Sequence, residues 1–250
     1  MILYEYPLNE RVRTLLRLEH LLRRHGQLMQ RNDAVDHHYA LLNLFEIMDV
    51  ASRQDLKTEL LKDLERQRQV FLGFSGNPAV SEAMLDNALA ELGAAYEGLN
   101  QQQGKPGQSL LENEWLMAIR NRATIPGGTC EFDLPAYYAW QHLTPEQRRA
   151  DIAGWAELFT PLAVAVELSL RLLRDAGVTR KALANAANYQ QNLGGRSYQL
   201  LRLRIAGEFG VVPEITGHRL MISIRFMRPD AEWKLRPDTT DVAFELALCA

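Results

Sequence analysis

The chain has 250 residues, 47% of them hydrophobic and 24% charged, with a formal net charge of −3. That is the composition of a globular protein with room for one sizeable core or two modest ones, and it excludes wholesale disorder. The start, MILYEYPLNE, has no basic segment leading into an apolar stretch, so no secretory signal is read and a cytoplasmic protein is expected. The most apolar stretch, Phe159 to Leu173, is interrupted by Glu167 and Arg171 and is shorter than the ~20 residues of a membrane span, so no transmembrane helix is expected.

Ile2, Tyr4 and Tyr6 recur at every second residue and read as a strand. Asn9 can cap a helix from Glu10 to about Gly26, with Val12, Leu15, Leu16 and Leu22 on its inner side. Further helices are predicted over Val35–Val50 and Leu56–Leu72, followed by a turn at GFSGNP, Gly73 to Pro78. Ser81 caps a helix whose Leu85, Ala88, Leu89, Leu92 and Tyr96 form an apolar stripe. The Gln101–Gln108 run is a loop by composition, and helix resumes over Leu110–Arg122 until IPGG, Ile125 to Gly128, stops it.

Thr129–Phe132 reads as a short strand, and Asp133 with Pro135 starts a short helix through Trp140. Thr144 and Pro145 are an N-cap and first-turn pair for a helix toward Leu173, with a break at Pro161 and a C-terminal cap at Gly177. After Gly177 the period changes to two. Leu201, Leu203 and Ile205 alternate with Arg202 and Arg204; Ile222, Ile224 and Phe226 alternate with Ser223 and Arg225; Val242, Phe244, Leu246 and Leu248 complete the set. Gly194 and Gly195 suit a turn before the first of these strands, and Gly217 precedes the second.

The expected architecture is α+β: an α-helical domain over residues 8–122 and 134–176, and an antiparallel β-strand domain built from residues 1–7, 123–133 and 177–250, its strands joined in one sheet.

Catalytic and nucleotide-binding motifs are absent: there is no GxGxxG after a strand, no GxxxxGK[ST], no GxSxG and no HExxH. His37 and His38 are adjacent and point about 100° apart on a helix, so they do not form a metal pair. Asp36, Asp49, Glu59 and Asp63 sit among basic residues as ordinary ion-pair positions. Cys130 and Cys249 lie far apart without a CxxC context and read as reduced thiols. Trp115, Trp140 and Trp155 have apolar neighbours and read as core, whereas Trp233, between Pro229 and Pro237, has no clear assignment. No enzyme, metal or cofactor is expected.

Charge is the feature that points outward. Six arginines stand against two glutamates between Asn9 and Arg31, and again between Arg196 and Arg228, so two segments of local charge +4 sit in an acidic remainder. Arg13, Arg17, His20 and Arg24 fall at i, i+4, i+7 and i+11 and share one helix face. Alternation sets Arg202, Arg204 and Arg225 opposite the apolar strand residues, where Arg196, His218 and Arg219 can join them in a second basic patch. Both groups fit a solvated face or a docking surface for an acidic partner, since arginine's planar fork can grip a carboxylate through two parallel hydrogen bonds. A basic nucleic-acid-binding module is the alternative, weakened by the negative net charge and by the lack of a helix-turn-helix, RNP or zinc motif.

Several stretches resemble one family along the whole chain: YEYPLNERVRTLLRL (Tyr4–Leu18), TELLKDLERQ (Thr58–Gln67), IPGGTCEFDLP (Ile125–Pro135), YQQNLGG (Tyr189–Gly195), LLRL (Leu200–Leu203), GHRLMISIRFM (Gly217–Met227) and FELALC (Phe244–Cys249). They are similar to the cell division family ZapD. The resemblance implies a cytoplasmic homodimer, recruited to midcell, that binds the C-terminal tail of the division GTPase FtsZ and bundles its filaments into the Z-ring. It implies neither nucleic acid nor membrane as a partner. Carried over by motif, Arg13, Arg17, Arg202, His218, Arg219 and Arg225 are the contact candidates; His20, Arg24, Arg196 and Arg204 rest on the charge argument alone.

Overall fold

A computed structural model describes residues 1–53, 55–218 and 220–250. The chain divides into two compact units, one of Arg17–Ser169 and one of Met1–Leu16 with Leu170–Ala250. The α+β class is as the periodicities require.

The first unit is helical. It holds most of α1 (Glu10–Met29), then α2 (Ala34–Ala51), α3 (Leu56–Leu72), α4 (Glu82–Gln101), α5 (Glu114–Ala123), α6 (Pro135–Gln141), α7 (Pro145–Ala156) and the first part of α8 (Thr160–Asp175). Polar side chains set several of these starts: Asn9 accepts from the Val12 N–H at 2.8 Å, Asp33 from Val35, Asn113 from Leu116, and Thr144 and Gln147 close a reciprocal capping box. α2 is central, burying His37, Ala40, Leu41, Leu44, Phe45, Ile47 and Met48, while α3 packs along α4 through Leu60, Leu64, Leu92 and Leu99. Each of the buried Leu, Ile, Phe and Met side chains contributes roughly 1.5–3 kcal/mol by leaving water.

Several boundaries differ from the sequence expectation. α1 runs past Gly26 to Met29, and its buried side is Val12, Thr14, Leu15, Leu18, Leu21 and His25; Leu16 and Leu22 are half-buried. The expected helix over Leu110–Arg122 is a 3₁₀ turn, Gln108–Glu112, followed by α5, because Asn113 restarts the ladder by capping Leu116. The helix toward Leu173 breaks at another 3₁₀ turn, Glu157–Phe159, just before Pro161. Thr129–Phe132 is not a strand: successive turns, with Gly128 N–H donating to Ile125 O and Cys130 N–H to Gly127 O, occupy it within the helical unit. Ser81 stands at the start of α4 but makes no capping side-chain bond.

The second unit holds β1 (Ile2–Pro7), β2 (Arg180–Ala184), β3 (Asn188–Asn192), β4 (Leu200–Ile205), β5 (Val212–Gly217), β6 (Met221–Pro229), β7 (Leu235–Pro237) and β8 (Val242–Cys249). The single sheet expected from the sequence is two antiparallel sheets, β1-β4-β8-β2 and β3-β6-β5 with β7 on β6. Their apolar faces form one core: Leu201, Leu203, Ile205, Phe244 and Leu246 of the first sheet cluster with Ile222, Ile224 and Phe226 of the second. The Phe226 and Phe244 rings lie 5.2 Å apart across it, and Tyr189 meets Phe244 edge-on at 5.2 Å. Gly177 closes the end of α8, its N–H donating to Arg174 O at 3.2 Å, and it is also required for space, since a Cβ there would lie 2.5 Å from the Cys249 Sγ.

Candidate partner-binding surface

The two-sheet arrangement decides what the strand arginines can do. Arg202 and Arg204 project from the outer face of the β1-β4-β8-β2 sheet, opposite Leu201, Leu203 and Ile205. Arg225 projects from the outer face of the other sheet, between Asn188 and Glu214. The two outer faces look in opposite directions, so these arginines do not make the one patch that a single sheet would have given them.

Arg202 is also engaged. Its Nε donates to Glu5 Oε1 at 2.9 Å, and the same carboxylate takes Arg174 Nε at 2.9 Å on Oε1 and Arg174 Nη2 at 2.7 Å on Oε2. The side chains of Glu5, Arg174 and Arg202 are 16, 21 and 22% exposed, so this trio is largely withdrawn from water. Burial pushes the Glu5 carboxyl up, but the Arg174 and then the Arg202 guanidinium outweigh it and hold the carboxyl below its ordinary value. The trio ties β1, β4 and the end of α8 together.

Arg225 is exposed and stands 3.7 Å from Glu214. Arg196 and Arg204 are exposed with no side-chain partner among the described residues, and Arg204 lies between Leu3 and Glu245 in register. His218 is exposed, its Nδ1 accepting the Leu220 N–H at 3.2 Å. Arg219 lies outside the described residues.

On α1 the structure sorts the stripe. Arg13 pairs with Glu10 at 2.9 Å, one turn earlier on the helix. Arg24 donates to Asn43 Oδ1 and pairs with Glu46 of α2, so it braces α1 on α2. Arg17 and His20 are exposed and without hydrogen-bond or ion-pair partners among the described residues, and the same holds for Arg23, which the i, i+4, i+7, i+11 reading passed over. Arg23 stands three residues from His20, which stands three from Arg17, so the three follow one i+3 row across the exposed face of α1. The signal that could have found Arg23 is that row, whereas Arg24, which shares a face with Arg13, Arg17 and His20 by spacing, is used inside the fold.

Elsewhere, His37, Arg148, Trp115, Trp140 and Trp155 are bound into the fold of the helical unit. His37 accepts from Arg148 Nε at 2.9 Å on Nδ1 and hydrogen-bonds Arg31 O at 3.0 Å through Nε2, while the buried Arg148 also donates to backbone carbonyls of Gln141, Leu143 and Asn32. Trp115, Trp140 and Trp155 pack against each other and Tyr137, with Trp140 Nε1 donating to Asp151. Among the described residues no group of three His, Cys, Asp or Glu side chains is placed to hold a metal ion, and no helix is long and apolar enough to cross a membrane.

Comparison with known proteins places the chain among proteins of cell division: a family model described as "Cell division protein" matches residues 16–225. A protein of Ralstonia nicotianae named Cell division protein ZapD is 50% identical over 250 residues, covering 100% of this chain and 99% of that protein. The chain belongs to the ZapD family.

Proposed function

We propose that this protein binds FtsZ directly, through a basic surface that recognises the acidic C-terminal tail of FtsZ, and that as a homodimer it cross-links FtsZ filaments into bundles at midcell and so promotes Z-ring assembly. The observation that carries the reading is the row on α1: Arg17, His20 and Arg23 are exposed, and none has a hydrogen-bond or ion-pair partner among the described residues. Arg13 and Arg17 stand four residues apart, and like charges at that spacing weaken a helix by a few tenths of a kcal/mol, a cost that an acidic ligand reverses. Arg13, one turn before Arg17 on α1, holds an exposed ion pair to Glu10; on the strand unit, considered by itself, Arg196 and Arg204 are exposed.

Bundling needs two sites at a fixed separation, which a two-fold symmetric dimer provides. A filament displays many tails, so attachment at one site raises the effective concentration at the other, and avidity exceeds single-site affinity by about 10²-fold or more. The work is done by docking, with no catalytic step, cofactor or membrane contact.

Co-sedimentation of FtsZ polymers with Arg17→Glu and Arg23→Glu variants tests the assignment. Loss of the variant from the pellet, with an unchanged circular dichroism spectrum, is the expected result. Undiminished pelleting, or retardation of duplex DNA that these substitutions abolish while FtsZ binding persists, overturns it in favour of a nucleic-acid module.

A further inference from the structure

Trp233 is at odds with every rule that places a tryptophan. It is 80% exposed, at the tip of the β6–β7 hairpin, and makes no ring contact with another aromatic side chain among the described residues. Its φ is +61°, the left-handed region where a glycine or asparagine sits at little cost and a bulky residue is strained. The hairpin holds it there. Asp230 Oδ1 accepts the N–H groups of Glu232 and Lys234 at 3.0 and 2.9 Å, Asp230 Oδ2 accepts Arg236 Nε at 3.2 Å, and the backbone closes with Trp233 N–H donating to Asp230 O at 2.9 Å. Lys234 is paired with Glu232 at 2.6 Å. The tip is therefore a braced, charge-balanced knob with an indole at its end. Nothing in the fold requires that indole, and a balanced tip gives an anionic lipid surface no charge to attract.

The helical unit contains a cleft with complementary chemistry. About 380 Å³ of space lies between the end of α2, the Lys105–Gln108 loop, the 3₁₀ turn and α5, within the size range of small-ligand sites. Met48, Pro106 and Leu111 give it apolar walls, and Leu111 is left 51% exposed. Lys105, held by its Nζ on Ser52 O at 2.9 Å, and Arg120, paired with Asp49, bring two cations and a carboxylate to the rim. An indole answers each of these: its apolar body fits the walls, its ring face attracts a guanidinium or ammonium, and its N–H donates to a carboxylate.

We propose that Trp233 of one copy of this chain seats in the Met48–Leu111 cleft of a second copy. The contact joins two different surfaces, a knob and a cleft, and so adds association beyond whatever oligomer the protein otherwise forms. It is independent of the tail-binding row on α1 and stands or falls without it.

Sedimentation velocity of the full-length protein over a broad concentration range tests the contact without any partner. Wild type grows in mass with concentration, and Trp233→Gly, Trp233→Ser, Leu111→Asp and Leu111→Ser each weaken that growth about thirty-fold or more, as expected for a central aromatic anchor. Circular dichroism monitors folding, and Trp233→Gly melts no lower than wild type because the substitution relieves the strained φ. In an equimolar mixture, Trp233→Gly supplies intact clefts and Leu111→Asp intact knobs, so the mixture regains the concentration-dependent growth that each variant alone has lost. Wild type that does not grow, variants that grow like wild type, or a mixture no different from its components overturns the proposal.

Discussion

Replacing Arg202 by glutamine separates a structural arginine from a docking one. In the folded protein Arg202 is one of two cations on Glu5, at 2.9 Å, in a site where all three side chains are less than a quarter exposed. Two unit charges about 4 Å apart attract by roughly 4 kcal/mol at an effective dielectric constant of about 20, and desolvation takes back part of that. Glu5 keeps both bonds to Arg174, so its carboxylate is not orphaned, and the net loss falls to about 1.5–3 kcal/mol, the range for a hydrogen bond to a charged group. At ~2–4 °C per kcal/mol for a chain of this size, a loss of about 2 kcal/mol lowers the melting temperature by ~4–8 °C.

The pH dependence has a definite sign. The Glu5 carboxyl is held below its ordinary 4.5, so the ion pairs stabilise the fold above that pH and are lost as pH falls through the lower folded value. The gap between wild type and Arg202→Gln, followed by circular dichroism melts, is therefore full at neutral pH and closes in acid below about 4.5. Arg17→Glu, by contrast, leaves the melt unchanged at neutral pH. Equal melting temperatures for Arg202→Gln and wild type at neutral pH, or a gap that persists in strong acid, would refute this assignment.

Three other outcomes follow from the same structure. Burial first of all lowers the pKa of His25, His37 and His38, and Arg148 Nε already points at the unprotonated Nδ1 of His37; imidazoles that resist protonation when folded give stability that is full above about pH 6.5 and declines as pH falls, so the urea midpoint at pH 5.5 lies below that at pH 7.5, and a flat profile contradicts the assignment. Gly107 has φ +71°, and a Cβ there would lie 2.1 Å from Phe159 Cζ, so Gly107→Ala lowers the urea midpoint by an amount equivalent to about 1–3 kcal/mol; an unchanged midpoint is the contrary result. Binding through the α1 row weakens as salt rises past the ~8 Å screening length of physiological ionic strength, which titration of a tail peptide over a salt series reads directly, and salt-independent affinity argues against it.

The sequence carried the helices better than the sheets, for identifiable reasons. α3 matches its predicted range to the residue, since apolar spacing and an uncapped but unambiguous start agree. β3 was missed because only Tyr189 and Gln191 alternate inward between Asn188, Gln190 and Asn192, with too few apolar residues to show a period. The β2–β3 turn was invisible for a different reason: Ala186 and Ala187 adopt φ +47° and +60° without glycine or asparagine, held by the Ala186 N–H on Asp241 and by Ala187 O on the Phe226 N–H. That turn carries the chain from one sheet to the other, so missing it also merged the two sheets into one and placed Arg202 and Arg225 on a common face.

The surface shows the same division. Helical spacing located the face of α1 from the sequence, because periodicity fixes direction. It could not say which arginines were spent, because Glu46 and Asn43 come to Arg24 from α2, and Glu5 comes to Arg202 from the far end of the chain.

The central claim, recognition of the FtsZ tail by a basic row on a cross-linking dimer, is tested most directly by light scattering of polymerising FtsZ with and without its C-terminal tail. Wild-type protein is predicted to raise the scattering of tailed FtsZ strongly, to leave tail-less FtsZ unaffected, and to lose its effect on tailed FtsZ when Arg17 and Arg23 are both changed to glutamate. Equal bundling of tail-less filaments, or full activity of the double variant, would contradict it.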